Sequence, residues 1–222
     1  MIEGELLYFT PAEFVVMMEL AGEGPYSMMF TDETEIDDVA LTQAFTTLFQ
    51  RDLIFQQGVK FMHSSRGQLF KSLRQAQFAV MISAENAHRY TAGCYVANEV
   101  LWLVECIDTA LSKQLRLQKL RYGDIEQWLL DKEIFEKPVL DEENARYLAD
   151  EFREVLANPA GSQMLKLERY HNGGASICTY ELLAMDGCNV VVRRGIDGCI
   201  AKIYTVEAMS RMLSECFGRN II

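Results

Sequence analysis

The sequence predicts an α+β fold: two α+β halves, each a set of helices followed by an antiparallel sheet, with a winged-helix-like N-terminal segment. Three observations predict it. The apolar spacing passes from helical to strand-like, and it does so twice along the chain. A hairpin, Leu53-Ile-Phe-Gln-Gln-Gly-Val-Lys-Phe-Met62 turning at Gln57-Gly58, lies between two helical stretches near the N-terminus. Turn signals at Asn172-Gly173-Gly174, Asp186-Gly187 and Gly195-Ile196-Asp197-Gly198 cut the C-terminal region into a meander. The halves are residues 1–112 and 113–222, with the seam in residues 113–123. They repeat an order of elements, while direct self-similarity between them is weak.

The first helix starts at Thr10-Pro-Ala-Glu13: Thr10 caps, Pro11 fits the first helical position, and Glu13 completes a capping box. Phe14, Met17, Met18 and Ala21 form its apolar stripe, and Gly22-Glu-Gly-Pro25 ends it. Residues 26–30 read as a short strand, and residues 31–38 as an acidic turn with Asp32, Glu33, Glu35, Asp37 and Asp38. A second helix over 39–51 carries Val39, Leu41, Ala44, Phe45, Leu48 and Phe49, and the hairpin follows. Ser64-Ser65 is positioned to cap a third helix through Ala76, with Leu69, Phe70 and Leu73 inward. Strands follow at 78–84, 89–97, 99–107 and 114–120, the last alternating Leu115 and Leu117 with Arg116 and Gln118. Residues 122–131 and 141–157 read as helices. Asp141, Glu142 and Glu143 suit the second one's N-terminus, and Asn158-Pro159-Ala-Gly161 stops it. The meander places strands at 164–171, 176–185, 189–194 and 199–204. Thr205 then caps a closing helix through Phe217, with Ala208, Met209, Met212, Leu213 and Cys216 inward.

Of the 222 residues, 50% are hydrophobic and 24% charged, enough apolar matter to fill a core and exclude disorder. No apolar run reaches the roughly 18 residues that a membrane span needs. Met1-Ile-Glu-Gly-Glu5 lacks the basic start of a signal peptide, so the expected location is the cytoplasm, without a membrane partner. Cysteines at 94, 106, 178, 188, 199 and 216 form no Cys-x-x-Cys pair. Reduced, they read as small core or strand residues. The rival reading joins Cys178, Cys188 and Cys199 around a metal, but no nearby histidine or paired spacing supports it.

Motifs for chemistry are absent. There is no phosphate-binding glycine loop opening a helix and no Gly-x-Ser-x-Gly. His63, His88 and His171 each flank a loop or strand end and read as solvated. Residues 32–38 lack the alternating oxygens and glycine of a calcium loop. No cofactor is implied. Eleven methionines, Met17, Met18, Met28, Met29, Met209 and Met212 among them, read first as core, with a methionine-lined groove for a partner helix as the functional alternative.

Charge decides how the wing is read. The formal net charge is −11, of which residues 1–111 hold 15 acids against 6 bases and residues 112–222 hold 17 against 15. The wing-bearing half therefore carries −9 (6 − 15), and that field repels a phosphate backbone. A DNA-reading winged helix would use Lys60, Arg66, Lys71 and Arg74, with Arg51 as an addition.

Thr10-Pro-Ala-Glu-Phe-Val-Val-Met-Met-Glu-Leu-Ala-Gly22 resembles the opening helix of the EspG-type chaperones of type VII secretion systems, in which a Leu-Thr-Pro-x-Glu-Phe helix ends at a glycine. Leu48-Phe-Gln-Arg-Asp-Leu-Ile54, the wing, the helix near 69–76 and the strand 78–84 continue the resemblance. Ile203-Tyr-Thr-Val-Glu-Ala-Met-Ser-Arg-Met-Leu213 looks like that family's last strand and helix. The likeness covers about residues 1–85 and 198–222, by pattern rather than by a specific motif, and the chain is shorter than typical members. It implies two quasi-symmetric α+β halves. It implies a non-enzymatic cytosolic protein that binds the helical tip of a secreted heterodimer through its central sheet and a nearby loop. By topology alone, the surfaces to test are residues 89–97 and the 195–198 hairpin, hence Tyr90, Cys94, Tyr95, Ile196 and Asp197.

The expectation is a protein-binding adaptor for a helical protein partner or secreted substrate, with a homodimer compatible with the sequence. The alternatives are the winged-helix DNA-binding regulator and an enzyme whose cysteine or carboxylate pairing is distant in sequence.

Overall fold

The computed structural model describes residues 6–24, 36–85, 89–97, 100–108, 113–134, 136–138, 140–157, 159–171, 176–185 and 187–218. The expected strand at 26–30, most of the acidic turn, Met28, Met29, His88 and the 172–174 turn lie outside the described residues. The fold is α+β, with a large antiparallel sheet and a separate two-stranded one. Two compact units divide the chain: Met1–Ala79, Ala92–Leu120 and Asn172–Gly174 in the first, and Val80–Thr91, Arg121–His171 and Ala175–Ile222 in the second. No helix among the described residues is long and apolar enough to cross a membrane.

In the first unit a short strand, β1 (Leu7–Phe9), leads into helix α1 (Pro11–Leu20). The capping box is made as expected: the Thr10 hydroxyl accepts from Glu13 N–H at 3.2 Å, and Glu13 Oε2 accepts from Thr10 N–H at 2.8 Å. Gly22 ends the helix at φ +86°, a conformation glycine adopts without a steric penalty. Helix α2 (Asp38–Gln50) starts from Asp37, whose carboxylate accepts from Ala40 N–H at 2.7 Å. The wing is β2 (Ile54–Gln57) and β3 (Lys60–His63), with Gln57 opposite Lys60. Its two-residue loop is thus Gly58-Val59, one place later than expected. Gly58 at φ +62° takes the first central position, as a type II′ turn requires.

The next helix is shorter than expected: a 3-10 turn, Arg66–Gln68, runs into α3 (Leu69–Arg74). Ser65 makes no side-chain cap. The Ser64 hydroxyl donates instead to the Asp52 carbonyl at 2.6 Å, closing the base of the wing. Strands β4 (Phe78–Glu85), β5 (Arg89–Ala97), β6 (Val100–Asp108) and β7 (Lys113–Arg121) follow. In this unit the neighbours run β1, β7, β6, β5, with Leu7 opposite Leu117. Phe9, Phe14 and Phe70 meet edge to face at 5.2–6.5 Å between centroids, beside fully buried Met17, Met18 and Leu48.

The second unit holds α4 (Ile125–Asp131), α5 (Glu142–Glu151), α6 (Arg153–Ala157), β8 (Ser162–His171), β9 (Ser176–Met185), β10 (Cys188–Gly195), β11 (Gly198–Ile203) and α7 (Val206–Phe217). Its strands run β4, β8, β9, β10, β11. The single helix expected over 141–157 is broken at Phe152, which packs against the cluster of Leu183, Val190, Val192 and Ile203. The Phe152 ring is half-buried there. Thr205 caps α7 as expected, accepting from Ala208 N–H at 3.1 Å. Met209, Met212, Leu213, Cys216 and Phe217 are buried beneath it.

Candidate docking surface

The wing is held to α2 by a tight joint. Asp52 sits at φ +56°, tolerable for Asp, and lets Leu53 N–H bond the Leu48 carbonyl at 3.0 Å. From there β2 and β3 pair Ile54 with His63, Phe55 with Met62 and Gln56 with Phe61. Strand alternation puts Ile54, Gln56, Phe61 and His63 on one face, and Phe55, Gln57, Lys60 and Met62 on the other. Ile54 and His63 are buried at the base of the hairpin.

Beyond that base each face carries exposed apolar side chains among Gln56, Gln57 and Lys60. Phe61 leans on Phe45 of α2, with ring centroids 5.1 Å apart. Phe55 and Met62 form an opposed pair on the other face. The exposures are 93% for Val59, 43% for Met62, 42% for Phe55 and 37% for Phe61. On α2, Phe49 follows Phe45 by one turn and is 52% exposed, and Val39 is 63% exposed. The apolar face expected for α2 is thus only half used, with Ala44 and Leu48 alone fully inward. Single apolar residues in water are ordinary, whereas grouped ones mark contact sites. Burying a large apolar side chain is worth roughly 1.5–3 kcal/mol, so covering this tip would be strongly favourable. The sequence reads the wing as a structural or protein-docking element, without saying which of its side chains stand out of the core. The available signal was Phe55 with the consecutive Phe61-Met62, which forces apolar groups onto both faces of one hairpin.

His63 is buried rather than solvated. Its Nε2 lies 2.8 Å from the Met17 carbonyl, and Nδ1 is buried with no hydrogen-bond partner among the described residues. Burial pulls its pKa below the ordinary 6.5, against the bond to Met17 and with help from the Lys71 charge.

The basic strip is partly spent on structure. Arg51 donates to the Tyr8 carbonyl at 2.8 Å, pairs with Glu13 at 3.3 Å and lies over the Phe9 ring. Arg66 donates to the Arg51 carbonyl at 3.4 Å, and Arg74 to the Gly22 carbonyl at 3.0 Å. Lys60 and Lys71 are exposed.

Cys94 and Tyr95 are fully buried in the first unit, and Tyr90 is half-buried in the second beside Trp128, 6.0 Å between centroids. Burial first, then the Glu105 charge, pushes the Cys94 thiol well above its ordinary 9.0. Ile196 and Asp197 form the exposed tip between β10 and β11 in the second unit. Met17, Met18, Met209 and Met212 are all core, so none lines a groove. Along β10, Cys188 pairs at the Met185 end, while Cys199 lies opposite Arg194 and Cys178 opposite Gly195. Six residues of strand keep Cys188 about 20 Å from the other two. Among the described residues no three of His, Cys, Asp and Glu are grouped to hold a metal. Glu215 of α7 accepts from the Tyr180 hydroxyl, and from Arg193 Nε and Arg211 Nε at 3.0 Å each. Burial would raise its pKa, but those bonds win and hold it below the ordinary 4.5.

No protein-family model matches the chain, and no curated protein matches it. Among solved structures, the chain is similar to a chain of the Mycobacterium tuberculosis type VII secretion system chaperone EspG5 in complex with the PE25-PPE41 dimer. The TM-score is 0.54 at 8% sequence identity, covering 96% of this chain and 94% of that one. At that identity the likeness is one of fold.

Proposed function

We propose that this chain is a non-enzymatic, cytoplasmic adaptor of the secretion-chaperone kind, which holds a helical segment of a protein partner against its wing. The observation that carries the reading is the wing tip: Phe55, Val59, Phe61 and Met62 stand out of the core, with Phe61 against Phe45 of α2 and Phe49 exposed one turn further along that helix. An amphipathic helix offers apolar side chains at i, i+3, i+4 and i+7, which suits a ridge of this kind better than a flat polar surface would. The fold likeness supports the reading, since the similar chaperone is solved with a protein dimer bound. Tyr90, Ile196 and Asp197 remain proposed secondary contacts. The DNA-binding alternative is not adopted, because Arg51, Arg66 and Arg74 are engaged within the fold and the surrounding charge is negative.

A photo-crosslinking residue placed at Val59 in the native cell, with the exposed Tyr147 on α5 as the control position, tests it. The expected result is one protein adduct from position 59, absent from position 147 and lost when Phe55→Asp is added. Equal labelling at both positions, or nucleic acid as the adduct, would overturn the reading.

A further inference from the structure

β11 is the last strand in its sheet, and no strand among the described residues covers its outer edge. Gly195 and Gly198 close the two-residue loop Ile196-Asp197, so they form a hydrogen-bonded pair and the bonding alternates from there. Gly198, Ile200 and Lys202 turn their backbone groups toward β10, while Cys199, Ala201 and Ile203 turn theirs to the open edge. The bond from Tyr204 N–H to the Asn189 carbonyl, 2.8 Å, independently fixes that phase.

A groove runs beside this edge. It is lined by β11, by Ala145, Arg146 and Ala149 on α5, and by the start of α7 at Ala208. Alanines at 145, 149, 201 and 208 share the lining with Leu156 and Ile203, so the groove has room for apolar side chains from outside. Arg146 and Lys202 belong to the lining, and neither makes an ion pair among the described residues, whereas Arg211 beside them is bound to Glu215 at 3.0 Å. The lining carboxylates Glu142 and Glu207 sit in the first turns of α5 and α7, where the helix N-terminus offsets their charge. Two uncommitted cations thus stand beside an open edge in a chain of net charge −11, against two carboxylates whose charge the helix N-termini offset in part.

We propose that β11 accepts an extended acidic segment of a partner protein as an added strand. Main-chain bonds form to Cys199, Ala201 and Ile203. The segment's apolar side chains fill the alanine groove, and its carboxylates meet Arg146 and Lys202. A second copy of this chain would bring the same cations to the edge and be repelled. Lys202 as a guard against strand pairing is the competing account. This surface lies in the second unit and does not depend on the wing.

The probe is a fluorescein-labelled ten-residue peptide alternating valine and glutamate, titrated into the full chain at low salt and followed by anisotropy. A valine–lysine peptide is the control. Saturable binding of the glutamate peptide is expected, with binding of the lysine peptide weaker by at least about tenfold and amide exchange slowed at Cys199, Ala201 and Ile203. Ala201→Pro deletes one outward N–H while sparing the β10 ladder, and should cost about tenfold or more in affinity. Arg146→Glu, on a helix, should weaken binding without touching the strand. Val59→Asp at the wing should leave it unchanged. Four results would each overturn the proposal: no saturable binding, equal binding of the lysine peptide, indifference to both Ala201→Pro and Arg146→Glu, or self-association that Ala201→Pro abolishes without any peptide binding.

Discussion

The ring of His63 is held between one satisfied nitrogen and one that is not. Nε2 donates to the Met17 carbonyl at 2.8 Å, which fixes the neutral tautomer, and Nδ1 is buried with no partner among the described residues. Protonation would add an N–H with no acceptor and a charge in a site with little water, close to Lys71. The folded pKa therefore lies below the unfolded 6.5. The sign follows: the stability this site contributes is fully present above pH 6.5 and is lost as pH falls below it, toward the folded value. Unfolding free energies from urea titrations should fall between pH 7.5 and 5.5, by at most about 1.4 kcal/mol per pH unit for one proton. His63→Gln should flatten that stretch of the profile, and an unchanged slope in the variant would refute the assignment. Glu215 acts in a lower window, since its depressed pKa costs stability only below 4.5. Nothing adjacent to His63 in sequence announced its burial. The carbonyl that receives its proton comes from 46 residues away, and that separation hides it from any local reading.

Among the elements, α7 is locked at both ends, by chemistry of different visibility. Its start is local: the Thr205 hydroxyl accepts from Ala208 N–H, a signal plain in sequence. Its end is held by Arg169 of β8, whose Nη1 donates to the carbonyls of Glu215 at 2.8 Å, Cys216 at 3.3 Å and Gly218 at 2.7 Å. A buried guanidinium on the negative end of a helix dipole satisfies carbonyls the helix itself cannot. Arg169→Met keeps most of the volume and removes the charge. It should cost about 2–3 kcal/mol, given the strength of hydrogen bonds from charged groups. Chemical denaturation checks this, with Arg169→Lys intermediate; a loss below about 0.5 kcal/mol, the level of neutral surface changes, would show that the clamp is incidental. The same division explains which elements were legible. Capped helices at Thr10 and Thr205, and strands bounded by glycine turns, announce themselves locally. β1 does not, because three residues hold no alternation and its pairing with β7 spans the whole first unit. The 141–157 helix has helical composition throughout, yet Phe152 leaves it for a cluster assembled by strands that come later in the chain.

At the scale of the molecule, a shared fold leaves function to the surface. The order of helices, wing and strands was readable, and it matches the fold of the similar solved chain, but folds host many activities and only exposed chemistry separates them. Here the chemistry is an apolar ridge in an acidic setting: residues 1–50 contain ten acids and no Lys or Arg. A wing that grips DNA needs cations at its tip, and this tip offers Lys60 beside Val59, Phe61 and Met62. Each phosphate neutralised contributes about −0.9 to the slope of log affinity against log salt. With Lys60, Arg66 and Lys71 the exposed members of the strip, the slope cannot exceed about −3 in magnitude, too shallow for appreciable affinity against a repulsive background. A duplex of about 20 base pairs at about 50 mM salt should therefore show no saturable binding, and Lys71→Glu should change nothing. Micromolar binding with a slope steeper than about −4 would require cations that the ridge does not present, and would return the wing to nucleic acid.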